Sequence, residues 1–399
     1  MKPELLAPAG DLERLEWSAA YGADAVYFGM KNFSLRNFAG NFDISDAEKG
    51  LKLLHSKNKK GYITLNIYPY SSEYDLLIKT AHDLESIGAD AFIVSDLGVI
   101  NELKKAKIKT PIHISTQANT MSWQTVVAYK DLGAKRVNLA RELSLSQIKE
   151  VQDNLKGKIE TEVFVHGALC FAYSGRCAIS DYLTGRKANR GECTHPCRWK
   201  YALVEENREG KYYPVAEDNR GLYIFNNKDL ALFPFVKELA SFGVNSFKIE
   251  GRMKTIHYIA SVVSLYRRIL DGENISEEQG FEQLARVNNR GYSFAFINGK
   301  VTPEDYNWDN SNTESTSTFV ANTFEKIKQG TVIRARNRIF AGEKLELLTP
   351  DGKMSSIDMP KPLVRKDGTQ ADVLHNEELI VINQDIPEYS ILRRLEKKL

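Results

Sequence analysis

The four cysteines of the chain all lie in one short segment. They are Cys170, Cys177, Cys193 and Cys197, and they fall within 28 residues of a 399-residue sequence. Their spacing is C-x6-C-x15-C-x3-C, with glycines, prolines and basic residues around them. Because the rest of the chain contains no thiol, the grouping predicts that the four sulfur atoms hold one object, and not that four separate cysteines pack as small apolar side chains.

The spacing is compatible with more than one kind of object. Disulfides are disfavoured because the N-terminus, MKPELLAPAG, lacks a basic region followed by an apolar run, which predicts a reducing, cytoplasmic location. Structural zinc usually takes cysteine pairs separated by roughly two to four residues, which fits Cys193 and Cys197 but not Cys170 and Cys177. An iron–sulfur cluster tolerates irregular spacing. Spacing alone therefore leaves zinc and iron–sulfur open.

The elements around the cysteines predict an α/β fold. Short apolar runs alternate with amphipathic stretches over about 270 residues, and glycines that end helices stand before several strands. The seventh strand is predicted at Ile159–His166, its helix at Leu230–Ser241 and the eighth strand at Ser246–Glu250. Eight such units predict a TIM-type (β/α)8 barrel with a cysteine-bearing insertion after strand 7. An open doubly wound sheet is the alternative, but no G-x-G-x-x-G follows the first strand.

The predicted domains are a barrel at 1–272 with the insertion at 168–229, a connecting segment at 273–318 and a small C-terminal β-barrel domain at 319–399. The polar run NSNTESTST, Asn310–Thr318, indicates the linker. After it, short strands alternate with hairpin turns such as Pro350–Lys353. No apolar run approaches the roughly 18 residues that a membrane helix needs, so no membrane association is expected.

In a TIM-type barrel, the chemistry takes place at the C-terminal ends of the strands. The sequence places polar side chains there, and from them we predict His166, Glu250 and Arg252 as catalytic candidates and Asn66, Gln117, Asn119 and Arg141 as substrate-binding residues. Arg252 follows Gly251 and can present a bidentate fork to a carboxylate or phosphate. An internal Glu250–Arg252 ion pair is the structural alternative. Residues 168–200 carry a net charge of +4, which suits an anionic partner.

The cysteine segment resembles a known signature. The motif Glu162-x-Phe164-x-x-Gly167-Ala168-Leu169-Cys170 and the later Gly175-x-Cys177-x-Ile179-Ser180 are similar to peptidase family U-32, the collagenase-like proteins. Asn189–Cys193 and Pro196–Arg198 continue the likeness. It extends over nearly the whole chain and is strongest toward the prephenate-dependent tRNA 5-hydroxyuridine synthases. One departure is Ala295, where the family usually has glycine.

The resemblance implies a function and a set of ligands. It implies that the four cysteines ligate a [4Fe-4S] cluster and that the chain hydroxylates the wobble uridine of tRNA at C5, with prephenate as co-substrate. It also implies that Arg36 contacts the ligand and that a paralogous family subunit is a candidate partner.

Other functions stay open. A U-32 collagenase-like peptidase is one, although the sequence contains neither H-E-x-x-H nor G-x-S-x-G. A related hydroxylase acting on rRNA or a small molecule is another, and a zinc-stapled binding protein is a third. Metal analysis distinguishes an iron–sulfur enzyme from a zinc protein and from a peptidase with an alkylatable thiol.

Overall fold

The computed structural model describes residues 2–35, 40–170, 172–198, 216–218, 221–223, 227–306 and 313–396. The chain divides into two compact units. The barrel unit comprises Met1–Glu16, Asp24–Met253 and Arg290–Thr313. The β unit comprises Trp17–Ala23, Lys254–Asn289 and Glu314–Leu399. The domain boundaries predicted from the sequence stay predictions.

Eight parallel strands close into a barrel within the described residues. The first seven are β1 Glu4–Pro8, β2 Ala25–Gly29, β3 Lys60–Leu65, β4 Ala91–Val94, β5 Ile112–Ile114, β6 Arg136–Asn138 and β7 Glu160–Gly167. Three shorter strands follow, β8 Ala216–Asp218, β9 Gly221–Tyr223 and β10 Asp229–Ala231. The eighth barrel strand is β11, Ser246–Ile249, and the last strand of the unit is β12, Tyr292–Ser293. Because β11 pairs in parallel with both β1 and β7, the predicted TIM-type barrel is confirmed.

The helices alternate with the barrel strands. They are α1 Leu12–Ala20, α2 Ile44–Ser56, α3 Tyr74–Ser86, α4 Leu97–Lys105, α5 Trp123–Asp131, α6 Leu145–Leu155, α7 Ile179–Thr184 and α8 Val236–Ser241. Side-chain caps begin several of them: Asp96 accepts from the amide of Val99, and Ser144 forms a capping box with Gln147. After α3, Gly88 has a φ of +90°, a backbone conformation that costs glycine little, so the chain turns there into β4.

The helix predicted at Leu230–Ser241 is shorter in the structure. Asp229–Ala231 forms β10, which pairs antiparallel with the end of β7 through Leu230 and Gly167. A 3-10 turn at Phe233–Phe235 follows, and α8 begins only at Val236. The prediction was wrong because the sheet supplies hydrogen bonds to a segment whose apolar pattern also suits a helix.

The β unit contains α9 Ile256–Leu270, α10 Glu277–Ala285 and ten strands. The strands are β13 Ser317–Ile327, β14 Gly330–Ala335, β15 Ile339–Phe340, β16 Lys344–Leu348, β17 Met354–Asp358, β18 Leu363–Val364, β19 Gln370–Ala371, β20 Val373–Leu374, β21 Leu379–Ile382 and β22 Ile391–Leu395. Six of these form an antiparallel sheet in the order β17-β16-β22-β13-β14-β21. Its apolar face buries side chains such as Val320, Ile333 and Leu392. The predicted C-terminal β domain is confirmed.

Candidate active site

One cavity of about 130 Å³ lies at the C-terminal ends of the barrel strands. All four cysteines line it, together with side chains on or just after seven of the eight barrel strands. Its polar wall includes Thr64, Asn66, Ser115, Gln117, Arg141, Lys248, Glu250 and Arg252, and its apolar wall includes Tyr27, Ile93 and Phe164. The cysteine segment leaves the barrel at the end of β7, so it closes over the edge where parallel strands present their last side chains.

The cysteine segment is shaped by hydrogen bonds to its own backbone and sulfurs. The amide of Ile179 donates to Cys177 Sγ, and the amide of His195 donates to Cys193 Sγ, each at 3.4 Å. The side chain of Asn189 bridges both backbone groups of Cys177, at 3.3 and 3.2 Å. These contacts fix the direction of two cysteines and place backbone amide donors against their sulfur atoms.

The four cysteines fit an iron–sulfur cluster by their chemistry. Each lies within the described residues, and none forms a disulfide there. Four thiols on one cavity are the donor set that a four-iron cluster requires. In the part of the chain that the structure describes, no three Cys, His, Asp or Glu side chains are grouped so as to hold a single metal ion.

Arg252 is a buried, hydrogen-bonded cation of the cavity wall. Its side chain is buried, and its Nη1 donates to Ser34 Oγ at 2.6 Å and to Thr64 Oγ1 at 2.9 Å. Its Nη2 donates to Asn41 Oδ1 at 3.2 Å. A Cβ atom at Gly29 would overlap Nη1, so only glycine leaves room for the guanidinium there. These three contacts fix the orientation of the guanidinium of Arg252.

Arg141 and Gln117 have spare hydrogen-bonding capacity beside the cavity. The guanidinium of Arg141 lies 4.1 Å from the ring centroid of Phe164 and donates one bond, from Nη1 to the carbonyl of Ala168 at 3.0 Å. Its Nε is buried and has no partner among the described residues. Gln117 is 8% exposed, and its Oε1 likewise has no partner there. Buried polar atoms in proteins are nearly always satisfied, so these atoms suit a bound ligand.

The remaining predicted residues are placed differently. Asn66 and Glu250 line the cavity, and Glu250 accepts from the hydroxyl of Tyr27 at 3.4 Å.

Asn119 takes a left-handed conformation after the 3-10 turn that carries Gln117, and it is absent from the cavity lining in the described part of the chain. His166 is fully buried in β7, with its ring 5.6 Å from that of Tyr292, and is absent from that lining as well. Arg36 lies outside the described residues.

Lys248 lines the cavity and was not among the predicted site residues. It is 4% exposed, its Nζ donates to Glu162 Oε1 at 2.9 Å, and it lies 4.5 Å from the ring centroid of Tyr27. Alternation along β11 puts Ser246 and Lys248 on one face and Phe247 and Ile249 on the other, but it does not indicate which face lines the cavity.

Glu162 connects Lys248 to an ion network in the barrel interior. Glu162 also accepts from Asn138 at 2.7 Å and from Ser246 at 3.1 Å, and Arg136 Nη1 lies 3.6 Å away. Burial alone would raise the pKa of Glu162, but the charges of Lys248 and Arg136 hold it below its ordinary value. The carboxylate is therefore ionised, and Lys248 has a fixed counter-charge.

The comparison with known families identifies the class of protein. The profile described as peptidase family U32 matches residues 10–307, and the profile described as the peptidase family U32 C-terminal domain matches residues 315–393. The chain therefore belongs to peptidase family U32, as the cysteine motifs predicted.

In the described residues, no helix combines the length and the apolar character needed to cross a membrane.

Three relatives show the range of names in the family. The chain is 34% identical to tRNA hydroxylation protein P of Escherichia coli K12, over 89% of this chain and 88% of that protein. It is 36% identical to the 23S rRNA 5-hydroxycytidine C2501 synthase of the same organism, over 74% of this chain and 42% of that protein. It is 32% identical to a collagenase of Porphyromonas gingivalis W83, over 72% of each chain.

Proposed function

We propose that this protein is an iron–sulfur-dependent RNA hydroxylase that converts the wobble uridine of tRNA to 5-hydroxyuridine. The observation that carries the proposal is the cavity in which four cysteines meet polar side chains from the ends of four barrel strands. The similarity over most of the chain to a protein named for tRNA hydroxylation supports RNA as the substrate. Hydroxylation of a ribosomal cytidine is the nearest alternative, because a second relative is named for that reaction.

The walls of the cavity suit a planar base. The rings of Tyr27 and Phe164 supply apolar walls, and the amides of Asn66 and Gln117 supply groups that can bond the edge of a base. A uridine in a tRNA loop is unpaired, so placing it in the cavity does not require a duplex to be opened.

Prephenate is the proposed co-substrate, and the cations of the wall are its proposed partners. Prephenate carries two carboxylates, and Arg141 and Arg252 each present a guanidinium to the cavity. Arg252 is held in orientation by Ser34 and Thr64, and Arg141 has a buried Nε with no partner among the described residues. Charge-assisted bonds from such groups are roughly twice as strong as neutral ones. The arrangement favours an anionic donor held beside the base.

Cys170, Cys177, Cys193 and Cys197 would hold the cluster. When bound, a four-iron cluster would supply an electron carrier; because hydroxylation at C5 removes two electrons from the base, an external electron acceptor would complete the reaction. The chain's own residues orient the substrates. Lys248 contributes a positive charge whose position is fixed by Glu162. Glu250 directly follows β11 and lines the cavity, so its carboxylate can exchange a proton with a bound substrate. The cysteine segment covers the strand ends and limits access of water to the reacting groups.

The test combines metal analysis with nucleoside mass spectrometry. The full chain is purified anaerobically, assayed for iron and acid-labile sulfide, and incubated with an unmodified tRNA transcript with and without prephenate. We expect both iron and sulfide, and 5-hydroxyuridine only in the presence of prephenate. Each Cys→Ser variant should lose iron and product together.

Other outcomes would assign a different function. Zinc in place of iron, with no modified nucleoside, would support a zinc-stapled binding protein. Product in ribosomal RNA fragments but not in tRNA would move the substrate to rRNA. Cleavage of gelatin by a metal-free protein, abolished by thiol alkylation, would support the peptidase suggested by the collagenase relative.

A further inference from the structure

Two tyrosines of the cysteine segment are exposed to solvent. Tyr182, on α7, is 89% exposed, and Tyr173, in the turn after Cys170, is 54% exposed. Neither side chain makes a hydrogen bond or a ring contact with another described residue. Burial of a phenol ring is favourable, so two such rings exposed to solvent on one segment indicate a surface that binds a ligand or a partner.

Cations surround these rings. Residues 173–190 contain Arg176, Arg186, Lys187 and Arg190 against the single Asp181, a net charge of +3. Arg176, Arg186 and Lys187 are exposed. We call the exposed side chains of this one segment, Tyr173, Tyr182, Arg176, Arg186 and Lys187, the tyrosine–cation rim.

The tyrosine–cation rim adjoins the mouth of the cavity. The cavity is lined by Ser174, Gly175 and Cys177, which alternate along the chain with the rim residues Tyr173 and Arg176. The side chain of Arg176 is held in place, because its Nε donates to the carbonyl of Gln117 at 2.7 Å. Tyr173 and Arg176 of the rim are therefore direct chain neighbours of residues that line the cavity.

A third exposed tyrosine differs from these two. Tyr70 has the guanidinium of Arg190 at 4.2 Å from its ring centroid, and its hydroxyl accepts from Lys187 Nζ at 2.6 Å. Arg190 is itself paired with Glu73 at 2.6 Å. Tyr70 thus braces the base of the rim, and its ring is already in contact with protein.

We propose that the tyrosine–cation rim binds the unpaired RNA nucleotides on either side of the base that enters the cavity. Tyr173 and Tyr182 stack on the flanking bases, and Arg176, Arg186 and Lys187 contact the phosphates. This inference rests on the proposed RNA hydroxylase function and adds the part of the chain that selects a single-stranded loop. Aromatic rings interleaved with cations are how proteins bind single-stranded RNA, whereas the core of a protein–protein interface is depleted of lysine.

Binding of the full chain to an unmodified anticodon stem–loop RNA tests the proposal. Fluorescence anisotropy gives the Kd for the wild type and for Tyr173→Ala, Tyr182→Ala and Tyr182→Phe. Stacking of one base on an aromatic ring corresponds to about a 5- to 150-fold change in Kd, so each alanine variant should weaken binding within that range. Tyr182→Phe keeps the ring and should stay within about twofold of the wild type.

Two further variants separate the contributions. Leu132→Ala removes an exposed apolar side chain at the opposite end of the barrel, and its Kd should be unchanged. The double variant Arg186→Glu, Lys187→Glu should reduce the slope of log Kd against log salt by about 0.7 for each phosphate contact that is lost. Circular dichroism and iron content should be the same for all variants.

The outcomes distinguish this inference from the proposed function. If the wild type forms 5-hydroxyuridine and both alanine variants bind and modify the stem–loop as the wild type does, the rim has no role in RNA binding. If Tyr182→Ala leaves RNA affinity unchanged but abolishes association with a second protein chain, the rim serves a protein partner and the inference is overturned. If the wild type binds the RNA through the rim but forms no product, the proposed reaction fails and the RNA-binding surface stands.

Discussion

The replacement Glu162→Gln tests the ion pair that fixes Lys248 at the cavity wall. Glu162 is 3% exposed, and its Oε1 accepts from Lys248 Nζ at 2.9 Å and from Asn138 Nδ2 at 2.7 Å. Glutamine has nearly the same shape but no charge. The variant therefore leaves the ammonium of Lys248, itself 4% exposed, without its ion-pair partner in the described part of the barrel.

The expected loss of stability is large for a single polar substitution. Removing one member of a buried ion pair costs about 3–5 kcal/mol, because the remaining charge stays desolvated. We expect about 3 kcal/mol here, since the amide can still bond Ser246, and Arg136 keeps its contacts with Glu4 and Glu160. The matched control is Asp153→Asn, which removes the exposed pair between Lys149 and Asp153 and should cost less than about 1 kcal/mol.

The loss should depend on pH in one direction. The pKa of Glu162 lies below its ordinary value because Lys248 and Arg136 outweigh the effect of burial. The unfolded chain therefore takes up the proton at a higher pH than the folded chain does. The contribution of the carboxylate is complete above its unfolded pKa, about 4.3, and disappears as the pH falls through the folded value. The difference between wild type and variant should be constant near neutral pH and shrink below about pH 4.3.

Urea unfolding gives the measurement. The fluorescence of Trp123, on α5, and the near-ultraviolet circular dichroism report on the barrel unit. The double variant Glu162→Gln, Lys248→Met removes both charges and should regain most of the stability that the single variant loses. A loss of less than 1 kcal/mol in Glu162→Gln, or a double variant that is less stable than the single one, would refute the argument that Lys248 depends on this counter-charge.

Three further predictions concern the cavity. Gly29→Ala should displace the guanidinium of Arg252, because the added Cβ would overlap Nη1. We expect kcat/KM to fall by about 100-fold while the iron content stays unchanged. Full activity would show that the reaction does not use Arg252. Gln117→Leu should lower kcat/KM for the uridine substrate by about tenfold, the effect of one lost hydrogen bond. If the iron content fell in the same proportion, Gln117 would have a structural role instead. Arg141→Lys should raise the KM for prephenate more than it lowers kcat. Both are measured by nucleoside mass spectrometry at varied prephenate concentration. An unchanged KM would show that Arg141 does not bind the carboxylates of prephenate.

The barrel and the cysteine grouping could be predicted because their signals are local in the sequence. Helix-ending glycines and alternating apolar runs repeat with each βα unit, so eight repeats suffice to predict closure. The clustering of all four cysteines in one segment needs no tertiary information. The prediction of a helix over Leu230–Ser241 was wrong for the opposite reason. β10 forms there because the end of β7 offers backbone hydrogen-bond partners to Leu230 and Ala231.

The choice between neighbouring polar residues could not be made from the sequence. Gln117 and Asn119 both follow β5, but the 3-10 turn at Thr116–Ala118 directs only Gln117 into the cavity, and Asn119 ends the turn with a φ of +58°. The same holds for Lys248. Alternation along β11 shows that Ser246 and Lys248 share a face, but only the closed barrel makes that face the inner one.

The position of Lys248 explains why a charged layer lies inside a barrel whose interior is ordinarily filled by branched apolar side chains. A lone ammonium at the cavity wall would be costly, and Glu162 offsets its charge at 2.9 Å. Glu162 in turn needs bonds for its second oxygen, which Ser246 supplies, while Arg136 joins it to Glu4. The ion network is thus the support that a buried cation at the cavity wall requires, and its cost in desolvation is the physical reason to expect that Lys248 acts on the proposed reaction and not only on the fold.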